Sequence, residues 1–263
     1  MEKIIALVDF STVSDVAIAH AGAIRKMTDS DLTLLHVTPE SNGGMIDQVK
    51  DELMEFAKPL DAENIPFKVH VGKGEFFDVI QDTLTALEAD VVIVGTHGMR
   101  GRKRNLYSDN IVRLINKMAW PTLVVQGHKE STPGIYKNVL IPVLGKVDGV
   151  AHAELITGYT SAVGSKLHVL NFVNSDYESE DEDGKEEIIR QFKALGVDVE
   201  FTKQYTAEST QNYGLIIEEL AHRHGADLIV WTKALGEEAK QMSAENKTNL
   251  ILNKYGIPAL LML

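Results

Sequence analysis

Residues 89–115 read ADVVIVGTHGMRGRKRNLYSDNIVRLI, and three textures follow one another within them. An apolar, β-branched run, ADVVIV (89–94), has the length and composition of a buried strand. It ends in Gly95. A loop with the basic residues Arg100, Arg102, Lys103 and Arg104 comes next, and NIVRLINKM (110–118) has apolar residues at helical spacing. A strand that runs through a glycine loop into a helix is the layout of a phosphate cradle, in which backbone N–H groups and the helix N-terminus face an anion. Where such a cradle would place a further glycine and a hydroxyl, this chain has Ser108 and Asp109.

Outward from this stretch, the same alternation fills the N-terminal half. KIIALV (3–8), DLTLLHV (31–37), PFKVHV (66–71), ADVVIV (89–94) and PTLVVQ (121–126) read as strands. Between them lie amphipathic helical runs: AIAHAGAIRKM after a T-x-x-D start at Thr12 and Asp15, MIDQVKDELMEFAKPL (45–60), FFDVIQDTLTAL (76–87) and NIVRLINKM. Strands alternating with helices at this spacing predict βαβ units and a parallel sheet.

The second half repeats the first. KNVLIPVL (137–144) answers KIIALVDF, SKLHVLNFV (165–173) answers SDLTLLHVT, ADLIVW (226–231) answers ADVVIV, and GIPALLML (256–263) answers AWPTLVVQ. The offset drifts only from 134 (Lys3 to Lys137) to 137 (Ala89 to Ala226). The expected organisation is therefore two α/β domains, 1–127 and 137–263, joined by the polar segment GHKESTPGIY (127–136).

Composition narrows the function classes. A net charge of −12 disfavours nucleic acid or an anionic membrane as the main partner. The absence of cysteine removes disulfides, thiolate metal sites and cysteine nucleophiles. No apolar run is long enough to span a bilayer, and MEKIIALVDF lacks the layout of a signal peptide, so a cytoplasmic protein is expected.

DFS (9–11) after the first strand, LLHV (34–37) as the second, ADVVIVGTHG (89–98) before the glycine loop and the closing PTLVV (121–125) resemble the universal stress protein family, twice along one chain. The resemblance implies two tandem doubly wound domains, each with a five-stranded parallel sheet of order 3-2-1-4-5. It also implies dimerisation through fifth strands, which PTLVV and PALLM (258–262) could satisfy within one chain as a pseudo-dimer, with a homodimer as a further option. Ligands of doubly wound sheets sit beyond the carboxyl ends of the strands, where strand order reverses.

ATP-binding members carry G-x2-G-x9-G-(S/T) after strand four. Here Gly95 and Gly98 match, while Ser108 and Asp109 depart. An aspartate about 4 Å from a phosphate, at an effective dielectric constant near 20, is opposed by roughly 4 kcal/mol. A magnesium ion shared by the two would reverse the sign. His97 and Arg100, with the rest of the basic loop, could neutralise phosphate charge, or could simply be solvated. By the resemblance, Asp9 approaches the ribose and the backbone at Val37 reads adenine; the bland alternative for Asp9 is a turn or helix-start acceptor. The candidate nucleotide set is Asp9, Val37, Gly95, His97, Gly98, Arg100, Ser108 and Asp109, with ATP and magnesium as the conditional cofactors.

The repeat supplies a control. Asp9 corresponds to Val143, Gly95 and Gly98 to Thr232 and Leu235, and Ser108 and Asp109 to Glu245 and Asn246, so the second copy is expected to keep the fold without the site. The acidic run DYESEDED (176–183) has the wrong spacing for a helix-loop-helix calcium loop and reads as solvated. His222 and His224 are too close in sequence to share one helix face. Trp120 and Trp231 read as packing residues, and His36 and His168 as hydrogen-bonded core histidines.

No catalytic constellation and no metal set is specified. The resemblance implies very slow ATP hydrolysis at most. Two functions are carried forward: a regulatory or interaction protein of the stress response that binds ATP weakly or not at all because of Ser108 and Asp109, and an adenine-nucleotide-binding stress protein using the N-terminal cleft. Protein partners are not specified by these residues.

Overall fold

The structure is a computed structural model. It describes residues 1–40, 45–97, 113–115, 117–127, 136–144, 156–157, 160, 163–174, 189–206, 212–232 and 243–262. The chain divides into two compact units, Met1–Ile135 and Tyr136–Leu263.

In the first unit the elements are β1 (Lys3–Leu7), α1 (Thr12–Thr28), β2 (Asp31–Thr38), α2 (Ile46–Phe56), α3 (Lys58–Ala62), β3 (Lys68–Lys73), α4 (Phe76–Leu87), β4 (Val91–Thr96) and β5 (Thr122–Gln126). The strands pair in parallel in the order β3-β2-β1-β4-β5. Ile5, for example, stands opposite Thr33 on one side and Val92 on the other. Central strands of such a sheet are covered on both faces, which is why KIIAL and VVIV are continuous apolar runs instead of alternating ones; Ile4, Ile5, Ala6, Val92, Ile93 and Val94 are all buried.

The helices follow from capping and from proline. Helix α1 starts one residue earlier than the T-x-x-D pattern suggests, with Ser11 at the N-cap, and buries Val13, Ala17, Ile18, Ala21 and Ile24 on one face. The single helix read over 45–60 is two. Pro59, in the first turn of α3, has no N–H to donate back along the helix, and the chain breaks at Ala57.

The second unit contains β6 (Asn138–Leu144), β7 (Lys166–Asn174), β8 (Asp198–Thr206), α5 (Tyr213–Arg223), β9 (Leu228–Thr232), α6 (Ala244–Ile251) and β10 (Ala259–Met262). Its parallel order is β8-β7-β6-β9-β10, which in its own count is again 3-2-1-4-5. Strand β8 was not among the runs read from sequence. It is an edge strand in which Val199 and Phe201 are only half-buried, so it lacks the solid apolar run of its neighbours.

The repeat reaches down to single hydrogen bonds. Asp90 accepts from the Glu2 and Lys3 backbone N–H groups at 2.5 and 3.0 Å, and Asp227 accepts from those of Lys137 and Asn138 at 2.8 and 2.9 Å. The Ser30 hydroxyl donates to the Met1 carbonyl, and the Ser165 hydroxyl to that of Tyr136. Each aspartate satisfies the free donors at the start of strand one of its unit, which is the physical content of the repeated Ala-Asp.

Candidate functional site

At the carboxyl ends of β1, β2 and β4 lies a cleft of about 400 Å³. It sits at the reversal of strand order, since β1 connects outward to β2 while β4 lies on its other side. Leu7, Val8, Leu35, Val37, Ile80 and Val94 form apolar walls, and Asp9, Ser14, His36 and Gly95 also line it. Apolar walls with a few convergent polar groups are the usual make-up of a small-molecule site.

Its floor is built by the turn from β1 into α1. Asp9 Oδ1 accepts from the Ser11 backbone N–H (3.0 Å), the Ser11 hydroxyl (2.5 Å) and the Ser14 hydroxyl (2.6 Å), while the Asp9 N–H donates to Ser14 Oγ. This is the helix-start role, and it leaves Oδ2 with no hydrogen bond among the described residues. Burial alone would raise the Asp9 carboxyl, but the donors from Ser11 and Ser14 outweigh it and hold the group below its ordinary range. Phe10 takes a left-handed conformation, φ 61°, unusual for an aromatic residue and costing on the order of 1–2 kcal/mol. Its ring lies 4.7 Å from that of His36 and 5.5 Å from that of Phe56, edge to face.

Gly95 has a local reason to be glycine. A Cβ there would fall 2.2 Å from the Val13 carbonyl oxygen, so only glycine lets the first turn of α1 close on β4. On the other side, the Gly74 N–H donates to the Thr38 carbonyl, leading the chain from β3 into Phe76 and α4.

The structure thus brings Asp9, Val37 and Gly95 around one cleft. His97 follows β4 and is not among the lining residues. Gly98, Arg100, Ser108 and Asp109 lie outside the described residues, as does the acidic run 176–183. Among the described residues no group of three or more histidines and carboxylates could hold a metal ion. Phe10, Ser14, Phe76 and Ile80 are not among the candidates read from sequence; His36, expected as a hydrogen-bonded core histidine, has its hydrogen bond, to the Val8 carbonyl, but is half-buried at the cleft. Strand alternation offered no signal for it, since consecutive residues turn to opposite faces, whereas Leu35, His36 and Val37 all line a cleft that lies beyond the strand ends.

The second unit differs at the equivalent positions. Strand register and hydrogen bonding align Lys3 with Asn138, an offset of 135, so Asp9 answers Leu144 at the end of β6 and not Val143 as the 134 offset suggested; neither residue is a carboxylate. Asn246 is buried, and its Oδ1 accepts from the Gly214 N–H at 3.0 Å, a structural brace between α6 and α5. His222 stacks on Tyr255 and His224 approaches His168, consistent with their pointing apart. Trp231 is fully buried.

Fold and cleft together define a doubly wound α/β protein with a crevice at its switch point. Residues 1–126 match the model described as the Universal stress protein family, and that part of the chain is a universal stress protein domain. No curated protein matches the chain. Among solved structures, a universal stress protein from Archaeoglobus fulgidus DSM 4304 is similar at 14% identity with a TM-score of 0.69, over 98% of this chain and 95% of that one. A functionally unknown protein from Pseudomonas aeruginosa PAO1 gives 15% and 0.63, over 100% and 92%. The cytoplasmic domain of a prokaryotic cation chloride cotransporter gives 12% and 0.56, over 99% and 94%. At these identities the likeness is one of fold, and that fold serves dissimilar proteins. No helix among the described residues is long and apolar enough to cross a membrane.

Proposed function

We propose that the chain is a regulatory protein of the universal stress type whose N-terminal cleft takes the nucleoside part of an adenine nucleotide and holds the triphosphate weakly. The observation that carries this is the cleft itself, with Asp9, Val37 and Gly95 on its lining at the switch point. The Oδ2 of Asp9, without a hydrogen bond among the described residues, suits a hydroxyl donor such as those of a ribose. The apolar walls suit a planar base. Asp109, in the position where the family motif has Ser or Thr, opposes a phosphate unless magnesium intervenes. A carboxyl held below its ordinary range is a poor general base near neutral pH, so Asp9 serves binding better than turnover.

The test is calorimetric titration with adenosine, AMP and Mg-ATP, beside a search for nucleotide released on denaturation. Adenosine and AMP are expected to bind at least as tightly as Mg-ATP, and Asp109→Ser to improve Mg-ATP selectively. Tight Mg-ATP binding by the unaltered chain would overturn the proposal.

A second reading, an interaction module that holds no small molecule, is favoured by one specific finding. Asp9 and Gly95 each have a role in folding α1 onto the sheet, so their presence needs no ligand to explain it. Absence of heat with all three compounds supports this reading.

A further inference from the structure

We propose that His36 is the specificity-determining acceptor of the cleft, selecting a bound heterocycle that carries an N–H donor, of the class of the exocyclic amine of an aminopurine. The inference rests on the cleft being a nucleoside site.

His36 Nδ1 lies 2.7 Å from the Val8 carbonyl oxygen. A carbonyl can only accept, so Nδ1 is the donor, and in the neutral ring the proton is on that nitrogen. The other nitrogen, Nε2, then carries a lone pair and no hydrogen. It makes no hydrogen bond among the described residues, and His36 lines the cleft. The ring is held in place from two directions: by the Val8 contact and by Phe10, which is itself braced by Phe56. Strand β2 fixes the backbone, with His36 opposite Val71 of β3. A ring so restrained cannot turn over to offer an N–H without losing its bond to Val8.

The remaining polar lining sharpens the preference. The Ser14 hydroxyl donates to Asp9 Oδ1 and its oxygen accepts from the Asp9 N–H. Among the described lining residues, Asp9 Oδ2 and His36 Nε2 are then the side-chain polar atoms left for a ligand, and both are acceptors. Such a cleft favours ligands that bring donors. A ligand lacking the donor leaves Nε2 desolvated and unpaired, which is how a site built around a hydrogen bond rejects a close analogue.

The experiment compares adenosine with purine riboside, which differs by the missing exocyclic amine, on the full chain labelled with ¹⁵N-histidine. Long-range ¹⁵N–¹H spectra report the tautomer, with the His36 signals assigned by their loss in His36→Asn. That variant keeps an amide donor for the Val8 carbonyl and removes Nε2. The expected result is an Nδ1–H tautomer, an Nε2 signal displaced by adenosine but not by purine riboside, and about tenfold tighter binding of adenosine. In His36→Asn the two nucleosides should bind alike. An Nε2–H tautomer overturns the inference whatever binds. Equal affinity of the unaltered chain for both nucleosides overturns it while leaving the nucleoside site intact. Binding of neither overturns both.

Discussion

The Val13 carbonyl oxygen occupies the space that a side chain at residue 95 would need: a Cβ built on Gly95 falls 2.2 Å from that oxygen and 2.6 Å from the Val13 carbonyl carbon. Both are backbone atoms in the first turn of α1, so relief requires the helix to move off the sheet. Gly127 approaches the Val13 side chain too, where a Cβ would lie 2.8 Å from Cγ1. Gly95→Ala is therefore expected to lower stability by about 1–3 kcal/mol, as a lowered thermal midpoint measured with no nucleotide present. An unchanged midpoint would mean that this glycine is kept for a ligand and not for packing.

Asp9 should show its structural role in the same way. Asp9→Ala removes the acceptor for three donors from Ser11 and Ser14 and is expected to cost about 1 kcal/mol, the usual range for losing a helix-start acceptor; Asp9→Asn, which keeps an oxygen, should cost less. The direction with pH follows from the lowered carboxyl. The unfolded chain takes up the proton first, so the contribution is present above the ordinary value of 3.8 and fades as pH falls through the native value. Acid titration of unfolding free energy, unaltered chain against Asp9→Asn, checks it.

His20 on α1 gives a second and larger pH dependence. The residue is fully buried, and burial holds its imidazole down to about 4 from an ordinary 6.5. Between those values the unfolded chain binds a proton that the folded one does not, so stability is full above about 6.5 and declines as pH falls towards 4. The accumulated loss is on the order of 3 kcal/mol. Urea midpoints at pH 7 and pH 5 should separate clearly in the unaltered chain and much less in His20→Gln, measured relative to its own neutral-pH stability.

Three turns of the first unit hold non-glycine residues in the left-handed region, Asp29 (φ 53°), Asn64 (φ 55°) and Glu88 (φ 52°), where the second unit has Gly164, Gly196 and Gly225. The comparison makes Glu88→Gly a stabilising change. Relief of left-handed strain exceeds the added freedom of the unfolded chain by about 0.5–1 kcal/mol. The ion pair Lys3–Glu88 that it removes is largely exposed and adds little. Differential scanning calorimetry of Glu88→Gly should show a higher midpoint, whereas Gly225→Ala should show a lower one.

Much of the architecture was present in the residue pattern. The apolar runs KIIALV and ADVVIV could be read as central strands because parallel strands covered on both faces need unbroken apolar character. The repeated Ala-Asp, offset by 137 residues, proved to be a repeated hydrogen-bond arrangement at Asp90 and Asp227. What periodicity missed were features with no periodicity of their own: the break at Ala57 before Pro59, and the edge strand β8, whose half-exposed faces dilute the apolar signal.

The sequence by itself determined the alternation of strands and helices, the repeat, and the likeness of residues 1–126 to one family, because each depends on the order of residue types along the chain. Only the tertiary structure decided which residues meet. Asp9 and Gly95 are 86 positions apart, yet both are explained by the first turn of α1, through Ser14 for one and Val13 for the other. His36 became part of the cleft lining because Val8, 28 residues away in the chain, supplies the carbonyl that holds its ring. Side-chain hydrogen bonds and close backbone approach act across space over a few ångströms, so the chain's linear order carries no record of them.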